Sequence, residues 1–232
     1  MSGTGQSVQN VTFPSNGATA HGYLKLPESG TGPGVIVIQE WWGLTTHMAD
    51  ICNRLAAEGF VALAPDLYGG PTTHDAAEAR EMLVSMPVER ATRDLSGAVD
   101  FLLAQDSVTS RHVGVIGFCM GGGFALGLAA ERPDQVSAAV PFYGMPRDPA
   151  LTSAITGAVQ GHYGEQDGSI PVEKVQALFD QLQGAVDAPV ELHLYPAGHA
   201  FLNDEDLIGT YDPEAAQLAW TRAVDFLRQH VR

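Results

Sequence analysis

The sequence contains few cysteines and few positive charges. Its two cysteines are too few for a disulfide framework, and a reactive thiol is easier to keep in a reducing compartment. With 12 Lys and Arg residues against 27 Asp and Glu residues, the net charge of −15 argues against binding to nucleic acid or to an anionic membrane. Residues 1–10 lack the features of a signal peptide, and no run approaches the ~18 apolar residues of a membrane span. These absences predict a cytoplasmic protein.

Two kinds of cofactor motif are also missing. The histidines show no His-x-Glu-x-x-His pattern and no Cys/His spacing of a zinc site. The glycine run at 121–123 fits neither Gly-x-x-x-x-Gly-Lys-Ser/Thr nor Gly-x-Gly-x-x-Gly. We therefore predict no metal and no nucleotide or other cofactor.

What the chain does have is an alternation of apolar and helix-like segments, which is typical of a parallel sheet covered on both sides. Continuous apolar runs, which indicate strands buried on both faces, lie at 34–39, 60–64, 113–118, 137–143, 157–163 and 190–195. Helical patterns lie at 46–58, 75–85, 88–104, 120–131, 172–183 and 213–229. An N-terminal pair, 9–13 and 21–26, predicts an antiparallel hairpin at the sheet edge around Ser15-Asn16-Gly17. We predict an α/β fold with a single domain over residues 1–232, a mostly parallel central sheet of about eight strands, and helices on both faces.

The most informative segment is 113–123, where an apolar strand-like run leads into Gly-x-Cys-x-Gly and then into helix-like sequence. This pattern predicts a nucleophile elbow in which Cys119 takes the place that serine usually has. The N-terminus of the helix that starts at Met120 favours negative charge developing beside the thiol. For the pentapeptide alone, a buried cysteine at an ordinary glycine-rich turn is the alternative. Cys52 lies in a helical pattern and is predicted to be a packing residue.

An acid and a histidine follow Cys119 in the order nucleophile, acid, histidine. Asp167 and His199 each come directly after a predicted strand, so their loops should meet at the carboxyl edge of the sheet. His199 would accept the thiol proton, and Asp167 would hold the imidazole in the required tautomer. Glu165 and Asp212 are competing candidates for the acid.

Five separated motifs, spread over most of the chain, resemble those of one family. They are Val-Ile-Val-Ile-Gln-Glu-Trp-Trp-Gly-Leu at 35–44, Ala-Pro-Asp-Leu-Tyr at 64–68, Gly-Phe-Cys-Met-Gly-Gly at 117–122, Tyr-Gly-Glu-Gln-Asp at 163–167 and Ala-Gly-His-Ala-Phe at 197–201. Together they are similar to the motifs of the dienelactone hydrolases, in the α/β-hydrolase superfamily. The resemblance implies hydrolysis of carboxylic esters or lactones.

The strand that ends in Gln-Glu supplies two further candidates. Glu40 follows a predicted buried strand, which places it at the same sheet edge as the nucleophile. The resemblance implies that Glu40 keeps Cys119 neutral until substrate binds, since a carboxylate disfavours a nearby thiolate. A surface position at the strand end is the alternative. The backbone N–H groups of Met120 and Trp41 are the candidate oxyanion hole.

Substrate recognition is less specific in the sequence. Arg80 matches a family arginine that grips a substrate carboxylate, a task that an arginine fork suits, although a solvated helix arginine paired with Glu78 or Glu81 is the alternative. Asn203 stands where the family has a second such arginine, which leaves a less charged ester or lactone open. The aromatic candidates for an apolar pocket, with core packing as the alternative for each, are Trp41, Trp42, Tyr68, Tyr143 and Phe201. The segment 68–86 is predicted to flank or cover the site.

We therefore predict a cofactor-free cysteine hydrolase that cleaves a small-molecule carboxylic ester or enol-lactone, like a carboxymethylenebutenolidase, through a thioester. Neither nucleic acid nor membrane is expected as a partner. A general carboxylesterase or thioesterase of the same fold is one alternative. A hydrolase-fold protein that binds a ligand without turnover is the other, since fold does not dictate function.

Overall fold

The computed structural model describes residues 5–232. Contacts between Cα atoms divide the chain into two compact units, one ending at Val113 and one running from Gly114 to Arg232. The single domain over 1–232 stays a prediction. Within residues 5–232, no helix combines the length and the apolar character needed to cross a membrane.

Strands and helices alternate along the first unit. In chain order it contains β1 (Gly5–Gln6), β2 (Val11–Ser15), β3 (Ala18–Lys25), β4 (Gly32–Ile38), α1 (Thr46–Ala57), β5 (Val61–Pro65), β6 (Pro71–Thr72), α2 (Ala76–Ser85) and α3 (Val88–Leu103). β7 (Val108–Phe118) begins in the first unit and ends in the second.

The second unit continues the alternation. It contains α4 (Met120–Glu131), β8 (Val136–Phe142), a 3₁₀ helix (Pro149–Ala154), β9 (Ala158–Gly164), α5 (Val172–Ala185), β10 (Val190–Tyr195) and α6 (Pro213–His230).

The N-terminal hairpin lies at the edge of the first unit's strands, whose order is β4-β5-β3-β2. β2 and β3 pair antiparallel from Val11↔Gly22 to Ser15↔Ala18. The two residues between them, Asn16 and Gly17, have φ angles of 41° and 87°. Two positive φ angles are what a type I′ turn requires, and its twist matches the strands on either side. The predicted hairpin is confirmed, with strand limits displaced by one to three residues.

In the second unit the strand order is β10-β9-β8-β7. β8 pairs parallel with β9, and β9 pairs parallel with β10. All seven residues of β9 are buried, as its continuous apolar run indicated. Because parallel strands end at the same edge, the loops that follow β8, β9 and β10 all leave the sheet there.

The fold class is confirmed: the larger sheet has eight strands, is mixed but mostly parallel, and is flanked by helices. Two departures have simple physical reasons. β1 and β6, which pair over Gly5↔Thr72 and Gln6↔Pro71, are too short to leave a periodic pattern. β7 starts five residues before the predicted 113, because its first half alternates in exposure instead of being continuously apolar.

Candidate active site

Cys119 lies on the sharp turn between β7 and α4. Its φ and ψ are 54° and −120°, a combination that non-glycine residues rarely adopt and that surrounding contacts must sustain. The Cys119 N–H donates to Phe142 O over 3.1 Å, and Gly122 N–H donates to Cys119 O over 3.0 Å. A Cβ atom at Gly117 would collide with the backbone carbonyl of Gly121, so only glycine fits there. The turn therefore has the backbone geometry of a nucleophile elbow, with the thiol partly exposed.

Asp167, in the loop after β9, holds the imidazole of His199, in the loop after β10. His199 Nδ1 lies 2.7 Å from Asp167 Oδ2. Asp167 Oδ1 accepts backbone N–H groups of Ser169 and Ile170 over 2.7 and 3.1 Å. The Asp167 side chain is only 1% exposed and that of His199 is 18% exposed. One carboxylate oxygen is therefore fixed by the backbone, and the other is directed at the imidazole.

The two other candidates for the acid, Glu165 and Asp212, lie in different surroundings. Glu165 is exposed. Asp212 caps α6, where its Oδ1 accepts the N–H groups of Glu214 and Ala215 over 3.1 and 2.9 Å. Among the three carboxylates that the sequence offered, Asp167 is the one whose hydrogen bond to His199 the structure shows.

The ionisation of His199 and Asp167 follows from this contact. Burial lowers the pKa of His199, but side-chain hydrogen bonds to Asp167 and Cys119, together with their negative charges, outweigh burial and raise it to about 10. For Asp167, burial raises the pKa, but the hydrogen bond to His199, its positive charge and the two backbone N–H donors lower it overall. Cys119, His199 and Asp167 thus form one hydrogen-bonded series, in which the contacts of His199 with Asp167 and Cys119 favour the protonated form of the imidazole.

Aromatic side chains surround the imidazole. Tyr143, directly after β8, has its ring centroid 5.3 Å from that of His199 at an interplanar angle of 61°. Phe201 packs edge-on against Tyr143 with centroids 5.4 Å apart. Both side chains are fully buried, at 0% exposure. Their role in binding substrate stays a prediction.

The loop after His199 is shaped by its own polar groups. Thr210 Oγ1 donates to the carbonyl of His199. Asn203 is buried, and its Oδ1 accepts the N–H of Glu205 over 3.0 Å, which makes an Asx turn. The Asn203 side chain therefore supports the conformation of this loop. A role for it in binding substrate stays a prediction.

The remaining candidates belong to the first unit. Glu40 follows β4 and is 2% exposed, so the alternative of a surface position is wrong. Gly43 N–H donates to Glu40 O over 3.3 Å, which closes a tight turn around Trp41. The hydroxyl of Tyr68 donates to Trp41 O over 3.1 Å. Arg80 is exposed on α2. The chemical roles of all four residues stay predictions.

Cys52 differs from Cys119 in its exposure to solvent. It is fully buried inside α1, and burial raises the pKa of its thiol strongly. The predicted packing role is confirmed. Within the described residues 5–232, no group of three or more His, Cys, Asp or Glu side chains is arranged to hold a metal ion.

Sequence reasoning missed a buried polar network beside this site. His162 in β9 is 0% exposed, and its ring nitrogens contact Tyr195 Oη at 2.8 Å and Gln160 Oε1 at 3.0 Å. The signal was present in the sequence: Gln160 and His162 are polar residues at alternate positions of a strand that is otherwise apolar. Such residues need buried partners.

Comparison with known proteins gives a consistent set of matches. The sequence model of the Dienelactone hydrolase family matches residues 20–231. "Protein usf" of Aquifex pyrophilus is 35% identical over 233 residues, which cover 96% of this chain and 99% of that protein. A "Putative carboxymethylenebutenolidase" of Escherichia coli K12 is 33% identical over 240 residues, covering 95% of this chain and 86% of that one.

Solved structures agree with the sequence matches. The crystal structure of a "Putative Dienelactone Hydrolase" from Klebsiella pneumoniae has a TM-score of 0.84 and 31% identity, covering 99% of this chain and 100% of that one. A dienelactone hydrolase-like promiscuous phosphotriesterase from metagenomic libraries has a TM-score of 0.79 and 28% identity, with the same coverage.

Proposed function

The chain belongs to the dienelactone hydrolase family and is an ester-bond hydrolase, and we propose that it cleaves a small carboxylic ester or enol-lactone with Cys119 as nucleophile and without a cofactor. The observation that supports this proposal is the hydrogen-bonded series Cys119, His199, Asp167, in which Cys119 lies on a strained strand-to-helix turn. A thiol, a base and an acid that orients the base are the parts that nucleophilic acyl transfer needs.

The first half-reaction moves one proton and one acyl group. The imidazole of His199 takes the thiol proton on Nε2, since Nδ1 faces Asp167. The thiolate of Cys119 attacks the carbonyl carbon, and the Met120 N–H at the start of α4 donates to the oxyanion. When the tetrahedral intermediate collapses, the C–O bond to the leaving group breaks and His199 returns the proton to the departing oxygen. The product of this step is a thioester on Cys119.

The second half-reaction repeats the same transfers with water. His199 accepts a proton from water, the hydroxide attacks the thioester carbonyl, and the C–S bond breaks. The carboxylic acid leaves, and the proton on His199 returns to the sulfur of Cys119, which restores the thiol and the neutral imidazole. Asp167 stabilises the imidazolium in both halves because its carboxylate remains ionised at a lowered pKa. The parts predicted for Glu40, Trp41 and Arg80 would add to this scheme and are separately testable.

One observation favours a substrate of low charge. The uncharged side chain of Asn203 lies in the loop that follows His199, where its Oδ1 accepts the N–H of Glu205, so this position provides no cationic anchor. We therefore propose a neutral or singly charged ester or lactone. Phosphotriester cleavage is a second candidate, favoured by the solved phosphotriesterase that shares this fold at 28% identity.

The proposal is tested by comparing wild type with Cys119→Ala on p-nitrophenyl acetate, cis-dienelactone and a p-nitrophenyl phosphotriester at neutral pH. Cys119→Ala should abolish turnover of every substrate that wild type accepts. Cys52→Ala is the matched control, since it removes the other thiol from a buried helix position and should keep wild-type rates. Mass spectrometry of an acid-quenched reaction should find the acyl adduct on the peptide containing Cys119.

Three results would count against parts of the proposal. Turnover by Cys119→Ala would exclude the cysteine nucleophile. Turnover of the simple ester but not of the lactone would make the protein a general carboxylesterase. Ligand-induced thermal stabilisation without product, unaffected by loss of Cys119, would favour the binding protein.

A further inference from the structure

The two residues that follow β8, Tyr143 and Gly144, contact both the nucleophile and the base. A Cβ atom at Gly144 would collide with the carbonyl oxygen of Cys119 and would lie 2.8 Å from both Gly122 Cα and Gly123 N. The elbow is therefore packed directly on the Gly144 backbone. One residue earlier, the ring of Tyr143 packs edge-on against His199.

This two-residue segment is strained. Tyr143 has a φ of 36°, in a region that bulky L-residues rarely adopt and that persists only where neighbouring contacts enforce it. Two backbone hydrogen bonds flank the strained residue. Tyr143 N–H donates to His162 O over 2.9 Å, and Phe142 O accepts the N–H of Cys119 over 3.1 Å.

A third hydrogen bond comes from a side chain that the catalytic scheme does not use. Tyr163 in β9 is 1% exposed, and its hydroxyl donates to Gly144 O over 2.7 Å. Its ring packs edge-on against Phe179 of α5 with centroids 5.8 Å apart, so the hydroxyl has little freedom to move. The hydrogen-bonding need of this buried hydroxyl is therefore met by the Gly144 carbonyl.

Tyr163 also precedes the loop of the acid. The next residue, Gly164, accepts the N–H of Asp167 over 3.4 Å. A Cβ atom at Gly164 would collide with Ala197 O and would lie 2.7 Å from Gly198 O, in the loop that leads to His199. The same stretch of β9 thus contacts the loops of the acid and the base, while the Tyr163 hydroxyl reaches the segment under the nucleophile.

We propose that Tyr163 is a positioning residue for Cys119 and His199: its hydroxyl fixes the Gly144 carbonyl, and through it the strained segment on which the elbow and the imidazole pack. The inference rests on the proposed function. It does not require Tyr163 to touch substrate. Loss of the hydroxyl should let the segment shift and spoil the distance between thiol and imidazole, and misplacements on the order of 1 Å reduce rates strongly.

The test is Tyr163→Phe, which keeps the ring and removes only the hydroxyl. We expect kcat for p-nitrophenyl acetate to fall about tenfold while KM stays within about twofold, since geometry at the reacting atoms changes and substrate contacts do not. The rate of Cys119 alkylation by iodoacetamide should fall as well, because fewer molecules hold the thiol against the imidazole.

Tyr195→Phe is the matched control. It removes a tyrosine hydroxyl from the neighbouring strand β10, where the hydroxyl contacts His162 and Arg222 and not the Gly144 segment. Both variants should lower the melting temperature, but Tyr195→Phe should leave kcat and alkylation within about twofold of wild type. This difference separates positioning from a general loss of stability.

Unchanged kcat in Tyr163→Phe, or equal changes in both variants, would overturn the inference. Should Tyr163→Phe not fold, Phe179→Leu decides instead, because it loosens the packing of the Tyr163 ring but keeps the hydroxyl. A fall in kcat at constant KM supports positioning, and an unchanged kcat overturns it. Failure of the proposed function is recognised separately, as turnover that survives Cys119→Ala.

Discussion

The second unit holds a fully buried histidine, His162, and a half-buried one, His199, whose pKa values move in opposite directions. Burial lowers the pKa of His162 far below its ordinary range, and the positive charges of His193 and Arg222 lower it further. Burial acts in the same direction on His199, yet its contacts with Asp167 and Cys119 raise the pKa to about 10. The comparison shows that charged partners, and not burial alone, decide whether a buried imidazole is ionised.

The neutral state of His162 is built into a directional chain of hydrogen bonds. Arg222 donates to Tyr195 Oη over 3.2 Å, which leaves the tyrosine proton for His162 Nδ1 at 2.8 Å. His162 Nε2 then carries the proton donated to Gln160 Oε1 at 3.0 Å, and Gln160 Nε2 donates to Glu191 Oε2 at 2.6 Å. Every donor meets an acceptor only if the imidazole is neutral. His162 is therefore suited to packing, and His199 to proton transfer.

The largest effect on activity should come from Asp167→Asn, which removes the carboxylate partner of His199. The amide keeps the size of the carboxylate but cannot stabilise an imidazolium, and it favours the wrong tautomer. We expect kcat to fall by about 10³–10⁴. The pKa of His199, followed by NMR, should move down from about 10. A kcat within about tenfold of wild type would mean that Asp167 is not the acid.

The substitution His162→Leu should lower the free energy of unfolding and leave kcat nearly unchanged. The buried Tyr195 hydroxyl and Gln160 carbonyl each lose a partner, so the free energy of unfolding at pH 7 should fall by about 2–4 kcal/mol. Denaturant unfolding measures this loss. On the folded protein, kcat should stay within about threefold of wild type. A loss of activity comparable with that of Asp167→Asn would make His162 part of the catalytic machinery.

His162 and His199 should also differ in how they make the free energy of unfolding depend on pH. Below pH 6.5 the unfolded chain protonates His162 and the folded protein does not, so this residue makes stability fall toward acid pH, by up to about 1.4 kcal/mol per pH unit. The difference in the free energy of unfolding between wild type and His162→Leu should therefore become smaller from pH 7 to pH 5. A difference that stays constant would contradict a neutral His162.

His199 should have the opposite slope. Its raised pKa contributes stability that is fully present below pH 6.5 and is lost as pH rises through about 10. Asp167→Asn removes the main carboxylate partner, so that variant should lose less stability than wild type between neutral and alkaline pH. His162 therefore lowers the stability of the fold toward acid pH, and His199 lowers it toward alkaline pH.

Much of the fold could be predicted because long apolar runs dominate the pattern. The limits of α4 and β10 agree with the sequence analysis to the residue. That Cys119, Asp167 and His199 lie together was also foreseeable, since each follows a predicted strand of a mostly parallel sheet. Their catalytic roles are a matter for the kinetic tests above.

The contacts between neighbouring strands could not be predicted in the same way. His162 faces Tyr195 only because β9 and β10 pair in the register Tyr195↔Gly164, and no local pattern specifies that register. The bond from Tyr163 to Gly144 likewise depends on how β9 and the end of β8 lie together. A positive φ at Tyr143 runs against the propensity of tyrosine and is imposed by tertiary contacts.

The smallest effect on the free energy of unfolding should come from His193→Gln, at the exposed end of the His162 network. The ring of His193 stacks on that of His162 with centroids 5.4 Å apart, and its Nε2 lies 3.4 Å from Glu191 Oε2. Glu191 is 45% exposed, so solvent screens the pair, and the cost in unfolding free energy should stay below about 1 kcal/mol. Because Gln160 still donates to Glu191, the chain of hydrogen bonds to His162 survives. A loss as large as that of His162→Leu would show that the network depends on its exposed end as much as on its buried centre.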